Sequence, residues 1–458
     1  MWKRAARLTV VVLATMTAEA AAQAAPPVAL FREWARTNAS TVAVRDSGGR
    51  ASDFAPLGAM IGNARVVAFG EPFHGGHEPL MLRNRIIRYL VEQKHFRVVA
   101  LETGLAQSKP LSDYVLGLRD VDPATLRASF TYGFGDYPEN MALLVWLRSY
   151  NAGRAVRERV HLYGIDLPGQ LTGPASVALT PVLAYLDRVD ADLGRRTRQS
   201  FAGVVPVFDG RTFETLPAIE RDRIGGLIDD LVSTLGRGRI RMTAASSQHD
   251  YEWALRQAIN SQQDLAFMRM APKGVFSQMA QGGDDPLRPD PGLLPTQTIR
   301  EMAMADNVAW ALTQAGVDGR VVFFAHNVHM QIAPRRVAPS TPFESMVQGL
   351  EPAGMFLRAM FRNDYVAIGT AYGVSVGPPS NPESATPTAI DRVFQSPNRP
   401  GYVMDLRRVP ASTPLGAWLM QPLDTRSDLG TLIVSPKRAY DVLVFINRVT
   451  PSQIGSTP

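Results

Sequence analysis

The sequence predicts an α/β protein, in which a central, mostly parallel sheet is flanked by helices and carries a large helical insertion. Short, almost continuously apolar runs alternate with helix-patterned stretches, which is typical of parallel strands covered on both faces. The length of 458 residues and a composition that is 45% hydrophobic and 20% charged are those of an ordinary globular protein. Six runs are predicted to be strands: Ala64–Phe69, Arg97–Leu101, Val160–Ile165, Arg320–Ala325, Tyr365–Thr370 and Asp441–Ile446.

Helical patterns fill the intervals between these strands. The first helix is predicted from Glu78 to Lys94, after the first strand. A block from about 170 to 315 is predicted to be mainly helical, and Gln248–Met270 within it has apolar residues near helical spacing. The Gly-, Pro- and Asp-rich stretch Gly282–Gly292 is either a connection or a lid over a site. We therefore expect residues 25–458 to form one α/β domain with a helical insertion.

The first 24 residues have the pattern of an export signal. A basic start that includes Lys3 and Arg4 precedes an apolar stretch from Leu8 to Met16, and small residues suited to cleavage follow, up to Ala24. The apolar stretch is far shorter than the ~20 residues that a membrane span needs. The sequence thus predicts a periplasmic or secreted protein without a stable membrane anchor after cleavage.

Charge and cysteine content exclude several classes of function. The formal net charge is +6, and the basic residues are spread along the chain without interleaved aromatic residues. We therefore expect no nucleic-acid partner. The chain has no cysteine, which excludes disulfides, thiolate nucleophiles, thiolate metal sites and a lipoprotein anchor.

Ionisable side chains cluster where four of the predicted strands end. Three of these strands are followed directly by a carboxylate or an imidazole, and the first is followed by Gly70 and then Glu71. Further histidines lie a few residues beyond Glu71 and His326. The residues are Glu71, His74, His77, Glu102, Asp166, His326 and His329. In an open α/β sheet, the binding site lies beyond the carboxyl ends of the strands. The sequence therefore predicts a site that gathers carboxylates and imidazoles at this edge.

Two kinds of chemistry fit these residue types. Imidazole and carboxylate could ligate zinc, iron or manganese, although the helical motif His-Glu-x-x-His is absent. Alternatively, an imidazole held by a carboxylate could take a proton from water that attacks a carbonyl. The Gly-x-Ser-x-Gly pattern around Ser375 is interpreted as chance, because Pro378 and Pro379 follow where a helix is required and no histidine follows His329.

Six segments together resemble the erythromycin esterases and cover most of the chain after the signal. They are Gly70-Glu71 with His74, the helix Arg83–Glu92, Ala100–Glu102, Tyr163–Pro168, Arg300–Asn307 and Ala325–His329. The resemblance implies the same α/β fold and a hydrolase that opens the lactone ester of a macrolide such as erythromycin. It also implies that water is the nucleophile, that no metal or other cofactor is needed, and that a small-molecule ester is the partner.

The resemblance also implies roles for five residues. His74 resembles the general base of the family, and Glu71 and Glu102 resemble the carboxylates that orient this base or the water. Arg83 is implied to be a basic residue that steadies the oxyanion. His329 is implied to be the second histidine of the site.

Three more residues are predicted to contact the substrate: His326, Asp166 and His77. The roles of His77 and Arg83 compete with structural alternatives. His77 could simply cap a helix, and Arg83 could pair with Glu78 on the helix surface. Arg300 is left out of the predicted site because it fits a solvated helix face.

Two other functions stay open. A haem- or iron-binding protein of related fold would also have a Gly-Glu-x-x-His start and histidines near carboxylates. An esterase with the same chemistry could act on a cell-envelope or polysaccharide ester, because fold and motif do not fix the substrate.

Overall fold

The computed structural model describes residues 27–45, 50–168, 174–281, 290–339, 344–377 and 389–454. The predicted export signal, residues 1–24, lies outside the described residues, as does most of the predicted connection or lid, residues 282–289.

Strands and helices alternate along most of the described chain. The strands are β1 (Ser40–Thr41), β2 (Val66–Glu71), β3 (Val98–Gly104), β4 (His161–Asp166), β5 (Val321–His326), β6 (Tyr365–Ser375), β7 (Gly401–Asp405), β8 (Leu423–Ser427), β9 (Gly430–Val434) and β10 (Val442–Val449). The helices are α1 (Pro27–Asn38), α2 (Ala55–Ile61), α3 (His77–Lys94), α4 (Lys109–Leu116), α5 (Pro123–Ala128), α6 (Pro138–Asn151), α7 (Ser176–Val189), α8 (Ala191–Phe201), α9 (Gly210–Thr215), α10 (Ala218–Arg237), α11 (Arg239–Ala245), α12 (Gln248–Met270), α13 (Val275–Gln281), α14 (Leu293–Gln314), α15 (Asn327–Met330), α16 (Glu344–Val347), α17 (Ala353–Phe361), α18 (Ile390–Gln395), α19 (Pro414–Leu419) and α20 (Pro436–Ala439). Short 3₁₀ helices span Ala51–Phe54, Phe134–Asp136, Val156–Glu158, Val205–Val207, Arg362–Asp364 and Leu406–Arg408.

An eight-stranded sheet has the order β1-β7-β10-β6-β2-β5-β3-β4. The six strands from β10 to β4 pair in parallel, and they are the six strands that the sequence predicts. Strands β7 and β1 continue the sheet antiparallel at one edge, and β8 and β9 form a separate hairpin. The predicted fold class is confirmed, and these four strands are the part that the sequence analysis missed.

Two apolar cores cover the two faces of the sheet. Successive residues of a strand point to opposite faces, so Val66 and Ala68 of β2 belong to one core and Val67 and Phe69 to the other. Helices α7 to α14 form the helical insertion between β4 and β5, and they supply much of the first core. Helices α3, α4 and α6 supply apolar side chains to the second core. The insertion boundaries predicted from the sequence stay a prediction.

The turn between β2 and α3 is held by a segment from the other end of the described chain. Gly75 has a left-handed φ of 76°, and the Tyr137 hydroxyl would lie 2.8 Å from a Cβ atom at this position, so only glycine fits without strain. The N–H of Ser452 donates to the Gly75 carbonyl at 2.7 Å, and the N–H of His77 donates to the Thr450 carbonyl at 2.8 Å. This turn contains the first two histidines of the predicted site.

Among the described residues, no helix is both long and apolar enough to cross a membrane.

Candidate active site

The carboxyl edge of the parallel sheet brings most of the predicted site residues together. Glu71, Asp166 and His326 are the last residues of β2, β4 and β5, and Glu102 lies near the end of β3. Glu71 and His326 are direct neighbours in the register of β2 and β5. The side chains at this edge therefore come from β2, β5, β3 and β4, which are four consecutive strands of the sheet.

Glu71 and His74 form an imidazole–carboxylate pair with one accessible side. The Nδ1 atom of His74 lies 2.7 Å from Oε1 of Glu71, and the His74 side chain is 30% exposed whereas that of Glu71 is 5% exposed. Burial disfavours the imidazolium, but the hydrogen bond to Glu71 and the charges of Glu102, Glu71 and Asp428 raise the pKa of His74 to about 10. The carboxylates around His74 therefore favour the protonated form of its ring.

His326 is a hydrogen-bond donor rather than a base. Its Nδ1 accepts from the N–H of Val328 at 3.2 Å, so this nitrogen has no proton to donate. Its Nε2 lies 3.0 Å from the carbonyl oxygen of Pro72 and 3.1 Å from Oδ1 of Asp428, both of which accept. The ring proton is therefore assigned to Nε2, and the imidazole of His326 lies 5.3 Å from that of His74 between ring centroids.

Glu102 links three of the site's residues. Its Oε2 accepts from the N–H of His326 at 2.7 Å, and its Oε1 lies 3.1 Å from Nε2 of His329 and 3.5 Å from Nη2 of Arg300. Burial opposes its ionisation, but the charges of His329, His74 and Arg300 hold the pKa of Glu102 well below its usual range. Glu102 is therefore a carboxylate that sets the positions of the groups around it.

His329 is buried between two carboxylates. Its Nε2 faces Glu102, and its Nδ1 lies 2.8 Å from Oε1 of Glu301. Burial disfavours the charged ring and Arg335 repels it, but Glu301 and Glu102 raise the pKa of His329. Arg335 also pairs with Glu301, whose other oxygen accepts from the N–H of Ala353 at 2.8 Å. Both ring nitrogens face carboxylates, and the Arg335 guanidinium lies 2.9 Å from Nδ1, so the ring of His329 is fixed by charged groups on both sides.

Asp166 is completely buried in an ion pair with Arg300. The guanidinium of Arg300 donates to both oxygens of Asp166, at 2.9 and 2.6 Å, and the Tyr132 hydroxyl donates to Asp166 at 2.9 Å. Arg300 is thus a buried link between Asp166 and Glu102, and its interpretation as a solvated helix residue is wrong. Since the carboxylate of Asp166 is occupied on both oxygens, its contact with substrate stays a prediction.

Arg83 is 2% exposed and does not pair with Glu78, so the alternative of a surface ion pair is wrong. Glu78 instead accepts from the N–H and the hydroxyl of Thr450. The Arg83 guanidinium bonds the side-chain oxygen of Asn84 at 3.0 and 2.8 Å and lies 4.6 Å above the ring of Phe324. Burial lowers the pKa of Arg83 to about 10, against the opposing charges of Glu71 and Glu139.

A small cavity adjoins Glu71, Arg83 and Glu102. Its volume is about 20 Å³, which is enough for one water molecule. The Oε2 atom of Glu71 is buried and has no hydrogen-bond partner among the described residues, although Oε1 holds His74. Glu71 therefore has one oxygen for the imidazole and one for a further group, and Arg83 supplies positive charge beside it.

His77 lies in a neighbouring cleft and not in the His74 cluster. Its Nδ1 is 2.5 Å from Oε1 of Glu139, whose Oε2 accepts from the Ser452 hydroxyl at 2.5 Å. The cleft has a volume of about 580 Å³, and Arg45 and Glu78 also line it. The ring of Tyr137 packs against Gly75, which lies between the two histidines in sequence. The predicted contact of His77 with substrate stays a prediction.

Comparisons with known proteins identify the family. The sequence model described as erythromycin esterase matches residues 91–449, which is most of the chain. This chain belongs to the erythromycin esterase family. It is 26% identical over 357 residues to erythromycin esterase type II of Escherichia coli, covering 75% of this chain and 77% of that protein. It is 25% identical over 299 residues to erythromycin esterase type I of Escherichia coli, covering 62% and 66%.

Solved structures share the erythromycin esterase fold of this chain. A Bacillus cereus protein superposes with a TM-score of 0.77 and 22% identity, over 94% of this chain and 99% of that one. A succinoglycan biosynthesis protein superposes at 0.74 and 18% identity, over 93% and 98%. A mutant of the erythromycin esterase EreC in its open conformation superposes at 0.65 and 17% identity, over 92% and 99%.

Several groups in this erythromycin esterase site were not predicted from the sequence. Arg300 and Glu301 lie inside a segment that carries the family resemblance, so that segment was the available signal. No signal in the sequence pointed to Asp428, Arg335 or Tyr132. A helical or apolar pattern does not indicate which polar side chains from distant parts of the chain come into contact. Among the described residues, no group of three or more His, Asp or Glu side chains is arranged to hold a metal ion.

Proposed function

We propose that the protein is an exported esterase that opens the lactone of macrolide antibiotics with water activated by His74. The observation that supports this most directly is the Glu71–His74 pair, in which a partly exposed imidazole is held by a buried carboxylate at the ligand-binding edge of the sheet. Membership of the erythromycin esterase family supports the ester as the substrate class.

Each proton in the proposed reaction has a place. Nδ1 of His74 is bonded to Glu71, which leaves Nε2 to take a proton from water while the oxygen of that water attacks the lactone carbonyl. The imidazolium of His74 then donates this proton to the ester oxygen of the lactone ring as the bond between that oxygen and the carbonyl carbon breaks. The product is a single open-chain molecule that carries a new hydroxyl group and a new carboxylic acid. Because the surrounding carboxylates raise the pKa of His74, we expect the activity to increase as the pH rises and the free base forms.

Arg83 is proposed to stabilise the negative charge that develops on the lactone oxygen. A buried guanidinium near Glu71 and Glu102 is a strong electrostatic partner, because water screens it little. The second oxygen of Glu71 is proposed to orient the attacking water. No step of this proposal uses a metal or other cofactor.

The test is mass spectrometry of erythromycin incubated with the protein, with and without a chelator. We expect a mass gain of one water, about 18 Da, that the chelator does not change, because His74 activates the water directly. Loss of the product with chelator would contradict the metal-independent mechanism. Hydrolysis of other carboxylic esters without any macrolide product would contradict the proposed substrate.

Glu71→Gln is expected to lower kcat and to shift the pH dependence of activity toward lower pH. The hydrogen bond and charge of Glu71 raise the pKa of His74, so glutamine lowers that pKa and the free base forms at lower pH. A weaker base accepts the proton of water less well, and the limiting rate falls by about 10- to 100-fold. The measurement is the pH profile of kcat and of kcat/KM.

The matched control is Glu33→Gln on the exposed surface of α1, which should leave the profile unchanged. If Glu71→Gln weakened substrate binding and turnover equally without moving the profile, the proposed role of Glu71 would be wrong.

Export is proposed from the N-terminal sequence alone. Sequencing the N-terminus of the protein recovered outside the cytoplasm tests it, and an uncleaved or cytoplasmic protein would contradict it.

A further inference from the structure

The β8–β9 hairpin brings a carboxylate to the site from outside the main sheet. Ser427 and Gly430 pair across a turn of two residues, and Asp428 is the first of them. The hairpin is tied down by the buried Arg426, whose Nε donates to Asp391 at 3.0 Å and whose Nη2 donates to the Tyr372 carbonyl of β6 at 3.1 Å. The turn is therefore fixed in position relative to the sheet edge.

Asp428 contacts the two histidines that come from separate loops. Its Oδ2 accepts from the backbone N–H of His74 at 3.0 Å, and its Oδ1 lies 3.1 Å from Nε2 of His326. The Ser427 hydroxyl also donates to Oδ1, at 3.0 Å. One carboxylate thus spans the turn after β2 and the end of β5, and each of its oxygens accepts from a different histidine.

The backbone contact bears on the orientation of the His74 ring. Glu71 bonds the ring from the end of β2, whereas Asp428 holds the main chain of the same residue from the hairpin. With both ends fixed, the ring of His74 packs 4.8 Å from that of Phe134 and 5.3 Å from that of His326. If the backbone of His74 moved, the Nδ1 contact with Glu71 would lengthen, and Nε2 would turn away from the site.

We propose that Asp428 is a positioning residue, which holds the backbone of His74 so that its imidazole meets Glu71 and presents Nε2 to water. The expected effect on catalysis rests on the proposed function. The positioning of the His74 backbone by Asp428 does not depend on it. The charged and titratable groups that face His74 are Glu71 from β2, Glu102 from β3, His326 from β5 and Asp428 from the hairpin. Asp428 is the one of these that contacts the backbone of His74.

The test replaces Asp428 with asparagine, which has the same shape but no charge. We expect kcat for macrolide hydrolysis to fall by about 10- to 100-fold, as for other residues that orient a functional imidazole, with a smaller change in KM. We also expect nuclear magnetic resonance titration of His74, in the whole protein without substrate, to give a lower pKa than in the unchanged protein. The reason is that the negative charge of Asp428, which favours the imidazolium of His74, has been removed.

A second variant separates charge from position. Asp428→Glu keeps the charge but displaces the oxygens, so the pKa of His74 should stay raised while kcat still falls. The control is Asp424→Asn at the other end of β8, about 13 Å along the strand, which should change neither quantity.

The inference is overturned if Asp428→Asn and Asp428→Glu keep the kcat of the Asp424→Asn control. A lowered His74 pKa in Asp428→Asn reports the lost charge and not the position of the ring. The backbone amide resonance of His74 reports the hydrogen bond to Asp428 directly and needs no substrate. If the unchanged protein hydrolyses no macrolide, the proposed function fails, and a shift of this resonance in Asp428→Glu but not in Asp424→Asn still supports the positioning role.

Discussion

His74→Asn is expected to abolish most macrolide hydrolysis and to leave the protein folded. Asparagine can still donate to Glu71, but it has no basic nitrogen that could take a proton from water. Loss of a general base reduces turnover by about 10²- to 10⁴-fold. The measurement is single-turnover hydrolysis at saturating enzyme, together with the midpoint of thermal unfolding.

The chain offers a closely matched control in His95→Asn. His95 is exposed at the end of α3 with a left-handed φ of 57°, a conformation that asparagine also adopts readily. This variant should keep both activity and stability. A His74→Asn rate within tenfold of the control rate would contradict the assignment of His74 as the base.

Arg300→Met is expected to destabilise the protein strongly. The change leaves the carboxylates of Asp166 and Glu102 buried without their shared cation. Removing one partner from a buried ion pair costs about 3–5 kcal/mol in the free energy of unfolding. The measurement is urea unfolding at several pH values, with Arg223→Met on the exposed surface of α10 as the control that should change little.

The pH dependence of this loss has a definite sign. The pKa of Glu102 is lower in the folded protein than in the unfolded chain. The ionised form of Glu102 therefore stabilises the folded protein fully at pH values above its unfolded-state pKa, and this stabilisation is lost as the pH falls through its folded-state pKa. The deficit of Arg300→Met should therefore be largest near neutral pH and smaller in acid. A deficit that is small at neutral pH would mean that Asp166 and Glu102 find other partners.

The parallel core of the fold could be predicted because burial on both faces leaves a clear trace in sequence. Every residue of Val66–Glu71 and of Val321–His326 is buried, so these strands are apolar runs that end in an ionisable residue. The hairpin leaves no such trace, because Leu423–Ser427 contains an aspartate and an arginine, and two of its five residues are only partly buried. Polar strands of this kind resemble loops in sequence.

The site was predictable to the extent that strand ends define it. Glu71, Glu102 and His326 follow from that rule, since the carboxyl ends of parallel strands meet at one edge. Asp428 does not, because 354 positions separate it from His74 and no local pattern encodes the contact. Arg300 lies on a helix whose spacing gives its face but not its distant ion-pair partners.

The segment that holds the His74 turn has a consequence for the order of folding. Thr450 bonds Glu78 across 372 positions, and Ser452 bonds the carbonyl of Gly75. Contacts of such long range require the closure of a very large loop, so we expect them to form late. In a chain that has formed β2 and α3 but has not yet docked β10 and the residues after it, the turn that contains His74 lacks the hydrogen bonds that fix it. The imidazole of His74 is then not held in its native position. Recovery of activity during refolding would therefore report the completion of the sheet, and not the collapse of its core.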